Sequence, residues 1–322
     1  MPAPPQYSLG PLPWKDEVIV AAVLRDFRQA QNWIAEHPGR EIEERLDSIK
    51  AVLGIFTRSA AQFETQLVRF HEEAHGGHLF RRTRRLALDA FETSFRELLY
   101  VFASSAMTLV DQTRALSQKI TLPGYSDRVD EAFASNLQHR FIQELRVDLI
   151  HVTLHRPRWQ MTAGRSEDST SKFMLWPTQL SRADEYNTQA REFLRNHSEG
   201  VDLGHLICDY AAKVQNFHVW LAGAVDSAAG DTLRDYHRCT RRIKAVSSKS
   251  WWNIIFQQVV IAGKRDPYSY LDQYLTSDEL TNINLLPHQS REQVDRIIEL
   301  VDEYDACDGE LREVIYRAFG AR

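Results

Sequence analysis

Two short stretches of this 322-residue chain place titratable side chains at spacings that can do chemistry. The first is Phe70-His71-Glu72-Glu73-Ala74-His75-Gly76-Gly77-His78, which contains His-Glu-x-x-His. Two imidazoles one helical turn apart can hold zinc while the Glu activates water, and a third ligand could come from His78, Glu92 or Glu97. Glu73 adds a second charge inside the motif, and Gly76-Gly77 ends the helix directly after it. The stretch therefore reads as a polar helix terminus with Arg81, Arg82, Arg84 and Arg85 as ion-pair partners, and no bound metal is expected. The second stretch is Phe141-Ile142-Gln143-Glu144-Leu145-Arg146-Val147-Asp148-Leu149-Ile150-His151. An imidazole that titrates near neutrality can move a proton, and a guanidinium can hold a phosphate and the charge that develops on it. Asp148, three residues before His151, lies on the same helical side and can orient the imidazole and raise its pKa. Arg146 and His151 stand roughly 140° apart on an ideal helix. One phosphate can meet both only if the helix distorts, the long Arg side chain reaches round, or a second copy supplies one of them. A metal reading of Asp148, His151 and His155 needs the helix to survive to His155, which Pro157 opposes.

The elements that must carry these residues read as helices. Val18, Ala21, Ala22, Leu24, Phe27 and Trp33 recur at helical spacing from Lys15 to about His37, and Pro38-Gly39 stops the pattern. Glu41 to His75 forms a second long helix and Phe80 to about Lys119 a third, closed by Pro123-Gly124. The fourth starts near Ser126 or Asp127 and runs through Phe133, Phe141 and Leu149. Residues 159–176 switch to a hairpin pattern around a polar loop. Helices resume from Ser181 to His197 and from Asp202 to Val225, Ala228-Ala229-Gly230-Asp231 marks a weak boundary, and a helical pair spans Ser290 to Ala318. The expected architecture is mainly α: an antiparallel helical bundle with one small β-hairpin and a C-terminal helical extension. Its parts would be a Pro-rich arm (1–14), the bundle (15–225) and the extension (226–322).

The block FIQELRVDLIH resembles the HEPN superfamily, helical domains whose ribonuclease members carry an Arg, four to six residues, and then a His. Residues 99–114, with their small side chains and terminal Asp111 and Arg114, look similar to the partner helix of that group. The likeness covers about Arg85 to Leu221. It implies metal-independent RNA cleavage in which His151 is general base or acid and Arg146 holds the scissile phosphate. It also implies a homodimer with the two motifs facing a shared cleft, and a setting in bacterial defence or toxin systems. Val147 departs from the pattern, because the ribonucleases carry a polar residue there, often Asn. The competing expectation is a non-catalytic helical module that binds other proteins, in which Arg146 and Asp148 make ordinary ion pairs and His151 caps a carbonyl.

The net charge of -5 excludes a global field that would draw the chain to nucleic acid, so any RNA contact needs a local basic patch. Arg81 to Arg85 and Arg238 to Lys244 are the two basic clusters; either could track an RNA backbone, and the expectation is of solvated helix faces paired with neighbouring carboxylates. Cys208, Cys239 and Cys307 have no metal or disulfide spacing, which fits a reducing cytoplasm. No segment is apolar enough to span a bilayer, and the N-terminus lacks the features of a signal peptide. No phosphate-binding glycine loop, nucleophile elbow or calcium loop is found, so no organic cofactor is expected.

Overall fold

The computed structural model describes residues 12–74, 79–134, 136–151, 158–162, 170–180 and 182–322, and the fold is mainly α. The helix expected from Lys15 to His37 is two, α1 (Asp16–Arg25) and α2 (Phe27–Glu36). Asp26 breaks it by adopting an extended backbone, φ -155° and ψ 99°, while its carboxylate accepts the Arg28 N–H at 3.0 Å. Pro38 and Gly39 open α3 (Pro38–Ala74) as well as closing α2, because a proline in a first turn has no N–H to leave unsatisfied. After α4 (Arg85–Ser117), Gly124 turns the chain at φ 73°. The expected fourth helix is also divided. α5 (Tyr125–Val129) passes into a π-helical turn (Asp130–Ala134), and Asn136 then opens α6 (Leu137–His151) by accepting the Gln138 N–H at 3.0 Å.

The hairpin is present as β1 (Arg158–Thr162) against β2 (Thr170–Leu175), with Trp159 opposite Phe173. A third strand, β3 (Val201–Asp202), pairs antiparallel with β2 through Leu175 and Val201. α7 (Thr188–Asn196) is shorter than expected, since two 3-10 turns precede it and Asn187 caps it by accepting the Ala190 N–H at 2.9 Å. α8 (Leu203–Ile254) runs without a break through the boundary expected at 228–231. One glycine costs a helix interior only about 1 kcal/mol, too little to end one whose Ala229 and Gly230 are buried. A π-helical turn (Ile255–Ile261) follows, then α9 (Ser277–Asn284), α10 (Arg291–Val301) and α11 (Gly309–Phe319).

Two compact units result, and their composition differs from the expected division: one is Ile42–Gly230, and the other joins the residues before 42 to Asp231–Arg322. The 15–225 bundle thus gives up α1 and α2 to the C-terminal unit. In the first unit, Ile42, Ile49, Phe56, Phe63 and Phe70 recur every seven residues along α3, and all are buried. Leu203, Ile207, Tyr210, Val214, Phe217 and Leu221 do the same on α8 in alternating steps of four and three. Such spacing holds one apolar stripe toward a neighbouring helix. Phe56 stacks on Phe102 of α4 with ring centroids 4.8 Å apart, and Phe63 meets Phe95 edge-on at 4.9 Å. Phe173 of β2 joins Phe95 at 4.6 Å, so the small sheet is fastened to the bundle by its inward face. In the second unit, Ile283, Val294, Ile298, Leu311, Ile315 and Phe319 form a separate core. No helix among the described residues is long and apolar enough to cross a membrane.

Candidate functional site

α6 carries the Arg146, Asp148 and His151 set, and its two sides meet different neighbours. Residues two apart on a helix differ by roughly 200°. Arg146 accordingly faces α4, where it lines a cleft of about 160 Å³ together with Asp111, Arg114, His139, Arg140 and Gln143. Its Nε is buried and has no hydrogen-bond partner among the described residues. Asp148 turns the other way and is fully buried. Its Oδ2 accepts the Tyr186 hydroxyl at 2.5 Å, and Oδ1 lies 3.5 Å from Arg182 Nη1, an ion pair too long for a good hydrogen bond. Burial and the adjacent Asp148 carboxylate both push the Tyr186 hydroxyl far above its ordinary pKa, so this oxygen stays a donor.

The described contacts of Asp148 tie α6 to Arg182 and Tyr186 in the segment before α7, and the expected pairing with His151 lies outside the described residues. Glu144, one turn earlier, does related work: its Oε1 accepts the Asn187 backbone N–H at 3.1 Å and the side-chain amide at 2.8 Å, which holds the start of α7. His151 ends α6, and its side chain lies outside the described residues, as does His155. The structure thus separates Arg146 from Asp148 and leaves the placement of the His151 imidazole unstated. Val147, the departure from the resemblance, lines the same cleft as Arg146 and offers no hydrogen bond there.

Sequence reading missed His139 and Arg140. His139 sits two turns before Arg146 on the same face, buried, with Nδ1 2.8 Å from the Tyr210 hydroxyl. Burial, reinforced by the Arg140 charge, lowers its pKa from 6.5 to about 4, so it is neutral at physiological pH. Arg140 donates to Gln189 at 3.0 Å and Gln143 at 3.3 Å, and it spans the α4 cleft and a second one beside Asn187. The signal was present in the seven-residue spacing of 139 and 146. Nothing in the sequence, however, marks which helix faces α4.

The described residues of the other stretches make ion pairs and caps. Glu73 accepts from Arg69 at 3.0 Å and Arg84 at 3.2 Å, as expected for a polar helix end. His71 and Glu72 lie on α3, and His75, Gly76, Gly77 and His78 lie outside the described residues. In the cluster from Arg238 to Lys244, Arg238 pairs with Asp16 and Asp235, Arg241 pairs with Asp305, and Lys244 lies 4.9 Å over the Tyr304 ring. Asp302, which opens the acidic run to Glu310, accepts the backbone N–H groups of Ala306 and Cys307, both at 2.8 Å.

Among the described residues one group has metal-ligand types, His37, Asp235 and Cys239, with ligand atoms within 4.8 Å of one another. Its proton pattern opposes a metal. His37 Nδ1 accepts the Gly39 N–H at 3.0 Å, so Nε2 carries the proton and donates it to Asp235 at 3.2 Å. A metal-bound imidazole shows the reverse polarity and donates from its free nitrogen. Arg238, donating to Asp235 at 2.7 Å, already supplies the positive charge, and burial pushes the Cys239 thiol up to about 11. Comparison of the chain with known proteins finds no matching family model, no matching curated protein and no matching solved structure.

Proposed function

We propose that this chain binds single-stranded RNA along the α4–α6 cleft and cleaves it without a metal. The observation that carries the reading is the cleft itself: three guanidiniums, Arg114, Arg140 and Arg146, line it against the single carboxylate of Asp111. The one ion pair available inside it, Arg114 to Asp111 at 3.8 Å, is solvent-exposed and weak. The buried Nε of Arg146 has no hydrogen-bond partner among the described residues, and its guanidinium lines the cleft, where a phosphate oxygen would accept a charge-assisted hydrogen bond. In the proposed reaction His151 takes the proton of a ribose 2′-hydroxyl, and the 2′ oxygen attacks the adjacent phosphorus. The 5′ oxygen leaves with a proton from water or from the His151 of a second copy, and the products are a 2′,3′-cyclic phosphate and a 5′-hydroxyl. Arg146 stabilises the pentacoordinate phosphate. The angle between Arg146 and His151 on α6 favours a homodimer in which one copy supplies each group.

A second reading, a non-catalytic module that binds other proteins, draws on a specific observation. Asp148 is engaged by Tyr186 and Arg182 in packing, which is what a decayed motif retains. RNA incubated with purified protein in EDTA separates the two. Cleavage lost in His151→Ala supports the nuclease. RNA neither bound nor cut by wild type and variant alike supports the protein-binding module.

A further inference from the structure

The C-terminal unit holds a second site of a different chemistry. The π-helical turn Ile255–Ile261, the segment around Tyr270 and the two last helices enclose a cavity of about 440 Å³. That lies within the range of small-molecule sites, and π-helical turns recur where helices carry function. Its floor is buried and apolar, formed by Val260, Leu271, Ile298, Ile315 and Phe319. Its rim is exposed: Trp251 is 61% accessible and Tyr274 66%, large rings that a folded chain ordinarily covers. Arg265 is the sole charged residue in the lining. It donates to the Tyr270 hydroxyl at 3.2 Å and forms no ion pair among the described residues.

A deep apolar floor with one cation and two phenols at the mouth, one of them bonded to that cation, fits a ligand with the opposite layout. We infer that this cavity binds an anionic amphiphile, a single alkyl chain in the pocket with a carboxylate or phosphate head on Arg265 and Tyr270. Charge decides against a cationic head. The single guanidinium, already oriented by its phenol, decides against an uncharged one, which leaves that donor fork unused.

The test uses the full chain and calorimetric titration with four twelve-carbon probes below micelle formation: dodecanoate, monododecyl phosphate, dodecan-1-ol and dodecyltrimethylammonium. The expected result is saturable binding of one dodecanoate or dodecyl phosphate per chain, with the alcohol and the ammonium at least about tenfold weaker. Dodecanoate alone, or the phosphate alone, identifies which head is preferred and supports the site. Arg265→Gln, at an exposed position, should remove the preference for the anions and leave the alcohol's affinity unchanged. Val260→Trp, which fills the floor, should abolish binding of all four. If that variant does not fold, the head-group series on the unaltered protein still decides. Equal affinity for all four heads, no saturable binding, or an Arg265→Gln variant that keeps its preference overturns the proposal. So does self-association of the chain that Val260→Trp abolishes, with no amphiphile bound, because the groove then belongs to a second copy.

Discussion

Arg146 directs its charge toward α4, while Asp148, two residues later, is held by Tyr186 and Arg182. The two should therefore respond differently to substitution. Arg146→Ala is expected to leave stability within about 1 kcal/mol and to weaken RNA binding, read as a salt dependence shallower by about 0.7 in log K against log salt for one lost phosphate contact. Asp148→Asn removes a charge-assisted hydrogen bond in a buried place and should cost about 1.5–3 kcal/mol in urea denaturation. In the fraction that stays folded, the pH profile of RNA cleavage should not move. A shift of that profile would restore Asp148 as the group that positions His151. His139 gives a third test. Its folded pKa of about 4 lies below the unfolded 6.5, so between those values the unfolded chain holds a proton that the folded chain does not. Stability is thus fully present above about pH 6.5 and declines as pH falls toward 4, by up to about 3 kcal/mol. His139→Gln should flatten denaturation midpoints measured across that window. A smaller slope remains from His218, whose pKa burial also lowers.

At the scale of elements, α6 shows what could be read in advance. Its existence and the hairpin after it follow from apolar spacing and turn residues. Its start at Asn136 was hidden because the helical rhythm of Phe133 and Leu137 continues across the break. The burial of Asp148 depends on Tyr186, thirty-eight residues further along, and no local pattern announces such a pairing. Pro38-Gly39 was legible as an end and not as a beginning, since the same proline serves both. β3 is two residues long, too short to show alternation. Gly39 adds a constraint visible only in three dimensions. A Cβ there would stand 2.6 Å from Tyr236 Cβ and 2.9 Å from the Thr232 carbonyl oxygen. Alanine in a helix gains about 1 kcal/mol over glycine, whereas overpacking against backbone costs about 1–3 kcal/mol. Gly39→Ala is therefore expected to lower the melting temperature, and a rise would show that α8 can yield at that point.

For the molecule as a whole, the net charge of -5 excludes binding by bulk attraction and leaves the arginine-lined cleft to supply the local field. In the basic run from Arg238 to Lys244, Arg238 and Arg241 pair with aspartates and Lys244 lies over a tyrosine ring, which leaves less of its charge for that role. Two copies would let the Arg146 of one chain and the His151 of the other meet one phosphodiester, so activity should fall more steeply than protein concentration once the dimer dissociates. The measurement that bears most directly on the account is cleavage of a labelled single-stranded RNA by purified protein in EDTA, comparing the natural chain with His151→Ala. The account predicts fragments ending in a 2′,3′-cyclic phosphate from the natural chain and intact RNA from the variant. Equal fragmentation by both, or intact RNA with both, would contradict it.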